Sequence, residues 1–114
     1  MVPEGRPKRR YRVYVIKLRK RVLRSRKFRR ENPRYRKGKP CVYVGQTSQT
    51  REARFQQHLT DRKKGSKWVR KYGKALFPWA YKDLQEFATQ DEAIRAEQRH
   101  AEELRVRGWG VWQK

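Results

Sequence analysis

The sequence predicts an α+β fold, a small antiparallel sheet with helices packed on it, and three observations carry that reading. Residues 11–18 and 41–45 are dense in aromatic and β-branched side chains, the composition of half-buried strands. Thr89-Gln-Asp-Glu92 is a capping box that opens a long helical run. The order of elements, β-β-α-α-β-α, does not alternate as a doubly wound parallel sheet would.

Taken in order, residues 1–10 read as a flexible basic arm, because Pro3, Gly5 and Pro7 interrupt any periodicity. The first strand, 11–18, follows. Thirteen of the residues from Lys17 to Lys39 are basic against a single acid, Glu31, and the apolar residues among them keep no period. This stretch reads as a basic insertion over 19–40, a long hairpin or loop turning near Asn32-Pro33 and Gly38-Lys39-Pro40. The second strand, 41–45, ends at a glycine. A helix is expected over 50–59 with Ser48 or Thr50 as its cap, then a short one over 67–72 capped by Ser66 and closed by Gly73. Residues 81–87 read as a strand. The capped helix runs from Thr89 to about Arg107 and stops at Gly108, and 109–112 return as an edge strand.

Composition narrows the function. The chain has 114 residues, 33 Lys and Arg against 11 Asp and Glu, and a net charge of +22, so one domain with a polyanionic partner is expected. No apolar run approaches the ~20 residues of a membrane span. The basic start leads into no apolar segment, so neither a secretory signal nor a membrane anchor is expected and the location reads as cytoplasmic. Cys41 is the single cysteine, which excludes an internal disulfide; with His58 and His100 as the two histidines, a Cys/His zinc cluster is excluded too.

Particular residues then point to chemistry. At 100° per residue, Ala93, Ile94, Ala101 and Leu104 form one stripe of the last helix, and Glu97 falls in its middle. A carboxylate there must meet a cation, either an arginine or a divalent metal such as Mg²⁺, which takes few protein carboxylates. Arg54 and His58 stand four apart and share a helix face, a phosphate-binding cation beside a group that exchanges protons near neutrality. His100 reads as a helix-surface residue. Tyr14 and Tyr43 lie mid-strand, where adjacent antiparallel strands would bring both rings to one face beside Arg54.

Val13-Tyr14-Val15, Tyr43-Val44-Gly45, Arg54-x-x-x-His58 and Glu92-Ala93-x-x-x-Glu97 occur in this order. Together they resemble the GIY-YIG nuclease domain, over residues 11–113. The resemblance implies a three-stranded antiparallel sheet flanked by helices and single-metal, Mg²⁺-dependent hydrolysis of DNA phosphodiesters, with Mn²⁺ as a substitute. Tyr14 and Tyr43 match the motif tyrosines, Arg54 the family arginine, His58 the histidine of several members, and Glu97 the metal-binding glutamate. Arg12 stands where the first motif has glycine, the basic insertion separates two motifs usually joined by a short hairpin, and Gln113 stands where many members carry asparagine.

On that basis Glu97 holds the metal, Arg54 meets the scissile phosphate and Tyr43 orients water or phosphate. Tyr14 is the general base, its pKa lowered by surrounding cations, and His58 relays its proton. The insertion supplies DNA contacts through Arg19, Lys20, Arg21, Arg24, Arg26, Lys27, Arg29, Arg30, Arg34, Arg36, Lys37 and Lys39. The DNA could be branched or damaged, and a protein partner or a second copy could supply specificity. Two other readings stay open here: a ribosomal-type RNA binder, and a degenerate nuclease that only binds DNA.

Overall fold

The structure, a computed structural model, describes residues 9–113. The expected N-terminal arm therefore lies mostly outside the described residues. Strand β1 (Arg12–Leu18) leads through a 3₁₀ turn (Lys20–Arg24) to α1 (Arg26–Glu31), then to β2 (Cys41–Thr47). Helices α2 (Arg51–Thr60) and α3 (Lys67–Tyr72), strand β3 (Gly73–Leu76), a 3₁₀ turn (Pro78–Ala80), α4 (Gln90–Val106) and β4 (Gly110–Gln113) complete the chain.

The sheet has four strands in the order β3-β1-β2-β4, not three, and it is mixed rather than purely antiparallel. β1 pairs antiparallel with β2 and with β3, whereas β4 runs parallel to β2. α4 makes that parallel pairing feasible, since it carries the chain back along the sheet before β4 begins. Gly108, at φ +90°, reverses the direction after α4, a conformation that favours glycine.

The third antiparallel strand is β3, and the strand expected over 81–87 does not form. After Pro78 the amides of Tyr81 and Lys82 donate to the Pro78 carbonyl, and that of Leu84 donates to Tyr81. Turns thus consume the donors that a ladder would need. Only Phe87 pairs, in an isolated bridge with Tyr11.

The insertion is built rather than looped. Ser25 Oγ caps α1 by accepting from the Phe28 amide (3.2 Å), and Val22 and Phe28 are fully buried. Buried Asn32 donates through Nδ2 to the carbonyls of Phe28 (2.9 Å) and Val111 (3.0 Å), while its Oδ1 accepts from the Val111 amide (2.8 Å). That side chain satisfies the outer edge of β4 and docks the insertion against it.

The helix caps follow the sequence. Thr50 Oγ1 accepts from Ala53, Ser66 Oγ from Trp68, and Thr89 and Glu92 close a reciprocal capping box. Side chains alternate across the sheet. Val13, Val15, Val42 and Val44 pack under α4 with Ala96, Ala101 and Leu104. Tyr14, Ile16, Leu18 and Tyr43 face the other way, with Phe28, Val69 and Tyr72 of the insertion and α3.

Candidate active site

Strand alternation puts Tyr14 and Tyr43 on one face. Register sets Tyr14 opposite Gly45 and Ile16 opposite Tyr43, so the rings are diagonal neighbours with centroids 6.3 Å apart. Gly45 is required there. A Cβ at that position would sit 2.5 Å from Tyr14 Oη, so the phenol can lie across β2 only over a glycine.

α2 covers this face and buries Arg54 and His58 one turn apart, as the spacing implies. His58 is fully buried, with its Nε2 2.7 Å from Tyr14 Oη. Its Nδ1 accepts from the Ser66 amide (2.8 Å). A backbone N–H can only donate, so Nδ1 carries the lone pair, the imidazole is neutral, and Nε2–H donates to Tyr14. His58 is therefore a donor toward Tyr14, not the acceptor that a proton relay requires. The His58 ring also meets Tyr43 edge-on, at 5.2 Å between centroids.

Arg54 is 7% exposed, and its Nη1 donates to Gln57 Oε1 (2.5 Å) and to the Lys64 carbonyl (3.1 Å). Gln49 Nε2 donates to the same Gln57 oxygen (3.0 Å), so the guanidinium sits in a fixed cradle. Glu97 is 4% exposed within the alanine and leucine stripe of α4, and its charge opposes ionisation of both tyrosines.

Burial decides the state of the phenols. It pushes Tyr14 far above the ordinary tyrosine range, Tyr43 adds to the rise, and Arg54 opposes it without prevailing. Tyr43 is raised as well, by burial first, against the charge of Arg54 and hydrogen bonds from Ser66 and Tyr14. The expected lowering of Tyr14 by cations is thus reversed: removal of the water that would solvate a phenolate outweighs one guanidinium.

Four further expectations meet the structure here. Arg12 takes ordinary strand geometry and pairs with Glu86 (2.9 Å); among the described residues no non-glycine has positive φ, so it needs no special backbone. His100 is not a surface residue: its Nε2 lies 2.5 Å from the Ala80 carbonyl, tying α4 to the 3₁₀ turn. Gln113 accepts from Arg105 (3.0 Å). The twelve insertion cations are all exposed. Arg19, Lys20, Arg21 and Arg29 donate to backbone carbonyls, and Arg34 pairs with Glu102.

Sequence reasoning missed Ser66, Gln57 and Gln46. The first two act through hydrogen bonds that exist only after folding. Gln46 left a signal, since it continues the inward period of Val42 and Val44 as a polar residue. It is buried, its Oε1 has no hydrogen-bond partner, and it lines a cleft of about 440 Å³ together with Thr47, Arg54, Gln57 and Gln90.

A family model described as GIY-YIG catalytic domain matches residues 34–107, more than half of the chain, including Tyr43, Arg54, His58 and Glu97. The chain belongs to the GIY-YIG family. The match begins inside the insertion, so β1 and Tyr14 lie beyond it; in this GIY-YIG domain the pairing of β1 with β2 brings Tyr14 beside Tyr43. Neither the curated proteins nor the solved structures give a match. Family membership makes this a nuclease-type domain with DNA as its substrate class. No helix among the described residues is long and apolar enough to cross a membrane.

Proposed function

We propose that the protein is a Mg²⁺-dependent endonuclease that hydrolyses DNA phosphodiester bonds. The observation that supports this most is the convergence of buried groups: two tyrosines, a neutral histidine and a cradled arginine on one face, under the field of a buried carboxylate. An apolar packing of the same volume would be more stable, so these residues are better explained by chemistry than by folding.

Arg54 is the phosphate ligand. Its guanidinium is always charged, its fork suits two phosphoryl oxygens, and Gln57 and Lys64 hold it in place before substrate arrives. Tyr14 is the proton acceptor for the attacking water once its own hydroxyl proton has left to solvent, and His58, a hydrogen-bond donor to the same oxygen, stabilises that phenolate. Tyr43, beside Tyr14, orients the water or the phosphate.

Among the described residues no three His, Cys, Asp or Glu converge into a metal cage. The donor set fits a hard cation that keeps several waters: one buried carboxylate, Glu97, with the unpartnered Gln46 carbonyl oxygen on the sheet face that α4 covers. When bound there, Mg²⁺ or Mn²⁺ would supply Lewis-acid polarisation of the phosphate and positive charge that offsets the burial of Tyr14.

The test is plasmid cleavage in Mg²⁺ or EDTA, with wild type beside Glu97→Ala. Cutting by wild type in Mg²⁺ alone is expected, with a loss of at least about a thousandfold, ~4 kcal/mol, in the variant. Cutting by the variant within about tenfold of wild type would remove Glu97 from the metal site. No cutting by wild type in Mg²⁺, with DNA still bound, would favour a protein that only binds.

A further inference from the structure

We propose that the trough between the insertion and α3 binds an unpaired DNA strand continuing from the duplex at the catalytic site. This rests on the nuclease reading and adds a substrate class to it. Two adjoining cavities, about 650 and 480 Å³, share Ser25, Lys71 and Tyr72 and so form one trough. Seven of its ten lining residues are basic, two are aromatic, and none is acidic. Like charges crowded along one trough repel each other, and a polyanion relieves that repulsion.

A second, independent observation points the same way. Arg70 lines the trough, and its Nη1 is buried with no hydrogen-bond partner. A buried unpaired donor is unfavourable, and a phosphate that draws the Arg70 guanidinium into the trough would give it an acceptor.

The aromatic lining selects the form of the strand. Trp68, half-buried and stacked on Trp112 with centroids 4.3 Å apart, is the ring that reaches the trough, whereas Tyr72 is buried beneath the cations of Arg21 and Lys71. Bases stacked within a duplex have no free face to offer such a surface, whereas unpaired bases stack on it whatever their sequence. A duplex would use the phosphate contacts only.

Position links the trough to catalysis. Ser66, whose amide holds His58, is also the cap of α3, and the trough begins at the next residue, Lys67. One end of the trough is thus a single residue from the amide that holds His58. The opposite wall stands ready, because buried Phe28 and the Asn32–Val111 hydrogen bonds already dock the insertion.

The test is fluorescence anisotropy of the full chain in EDTA, with a short blunt duplex and the same duplex carrying a single-stranded extension. Wild type is expected to bind the extended duplex about tenfold tighter or more, with a steeper fall of log K against log salt, ~0.7 per added phosphate contact. Arg24→Glu with Lys71→Glu, both exposed, should abolish that preference; Arg24→Gln with Lys71→Gln should reduce it, which controls for fold and gross charge. Equal affinity of wild type for both DNAs, or a preference that survives in the Glu variant, would overturn the trough. Binding in EDTA is blind to cleavage, so a protein that cuts no plasmid yet keeps the extension preference would overturn catalysis and support the trough.

Discussion

The two faces of the β1–β2 ribbon use the same backbone for opposite purposes. Under α4 lie Val13, Val15, Val42 and Val44, which contribute apolar area and nothing a substrate could bind. One residue along on each strand, Tyr14 and Tyr43 turn a phenol toward α2, where His58 and Arg54 are also buried. Apolar side chains stabilise wherever they pack, so these four valines need density alone. Buried polar groups stabilise nothing until each is partnered, so the tyrosine face needs every hydrogen bond in place. A chain that only had to fold would put valines on both faces. The contrast separates stability from activity by single-residue steps along one strand.

The largest loss of activity on the tyrosine face is expected from Arg54→Ala. Removing a pre-placed cation from the phosphate should lower kcat by about 10²–10³ while DNA affinity changes little in a chain of this charge. Single-turnover cleavage checks it, and a loss confined to binding would break the contrast.

Gly45→Ala probes the boundary between the two faces. Its new Cβ would meet Tyr14 Oη at 2.5 Å, so the phenol must move away from His58. A loss of about a hundredfold in kcat is expected, with cooperative thermal unfolding retained. Wild-type rates in that variant would show that the position of Tyr14 does not matter.

On the valine face the sign reverses. Val44→Ala should lower unfolding stability by about 2 kcal/mol through lost burial and a partial cavity. Its kcat should stay within about twofold of wild type at temperatures where it remains folded. Denaturant unfolding beside cleavage rates measures both.

The smallest effect comes from titration. Burial raises Tyr14 and Tyr43 above their unfolded values, so the stability tied to their protonated forms is complete below about pH 10 and is lost as pH rises further. Melting temperature should fall above about pH 10, and less steeply in Tyr14→Phe. For cleavage the sign is opposite, because the acceptor must be ionised: the rate should climb with pH in wild type.

The features legible in the sequence were those that local chemistry dictates. Strand composition, the caps at Thr50, Ser66 and Thr89, and the inward angle of Glu97 all follow from a residue and its near neighbours. β3 was invisible because Gly-Lys-Ala-Leu has neither β-branched nor aromatic residues, and only pairing with β1 makes it a strand. α1 is six residues long and owes its existence to the burial of Phe28 and to the Asn32 contacts, which no period reveals. The site residues were legible as types in order, but their states were not. The direction of the Tyr14 shift depends on burial, and the donor role of His58 on an amide contributed by Ser66 across the turn after α2.

Tyr14 and Val15 are adjacent, both fully buried, and on opposite faces, so the most direct measurement takes Tyr14→Phe and Val15→Ala through the same two assays. Tyr14→Phe should lose at least about a hundredfold in cleavage, ~2.7 kcal/mol of transition-state stabilisation, along with the rise of rate with pH, and remain folded. Val15→Ala should lose about 2 kcal/mol of stability and cut at near the wild-type rate. A Tyr14→Phe protein that cuts like wild type, with an unchanged pH profile, would contradict the assignment of that face to catalysis.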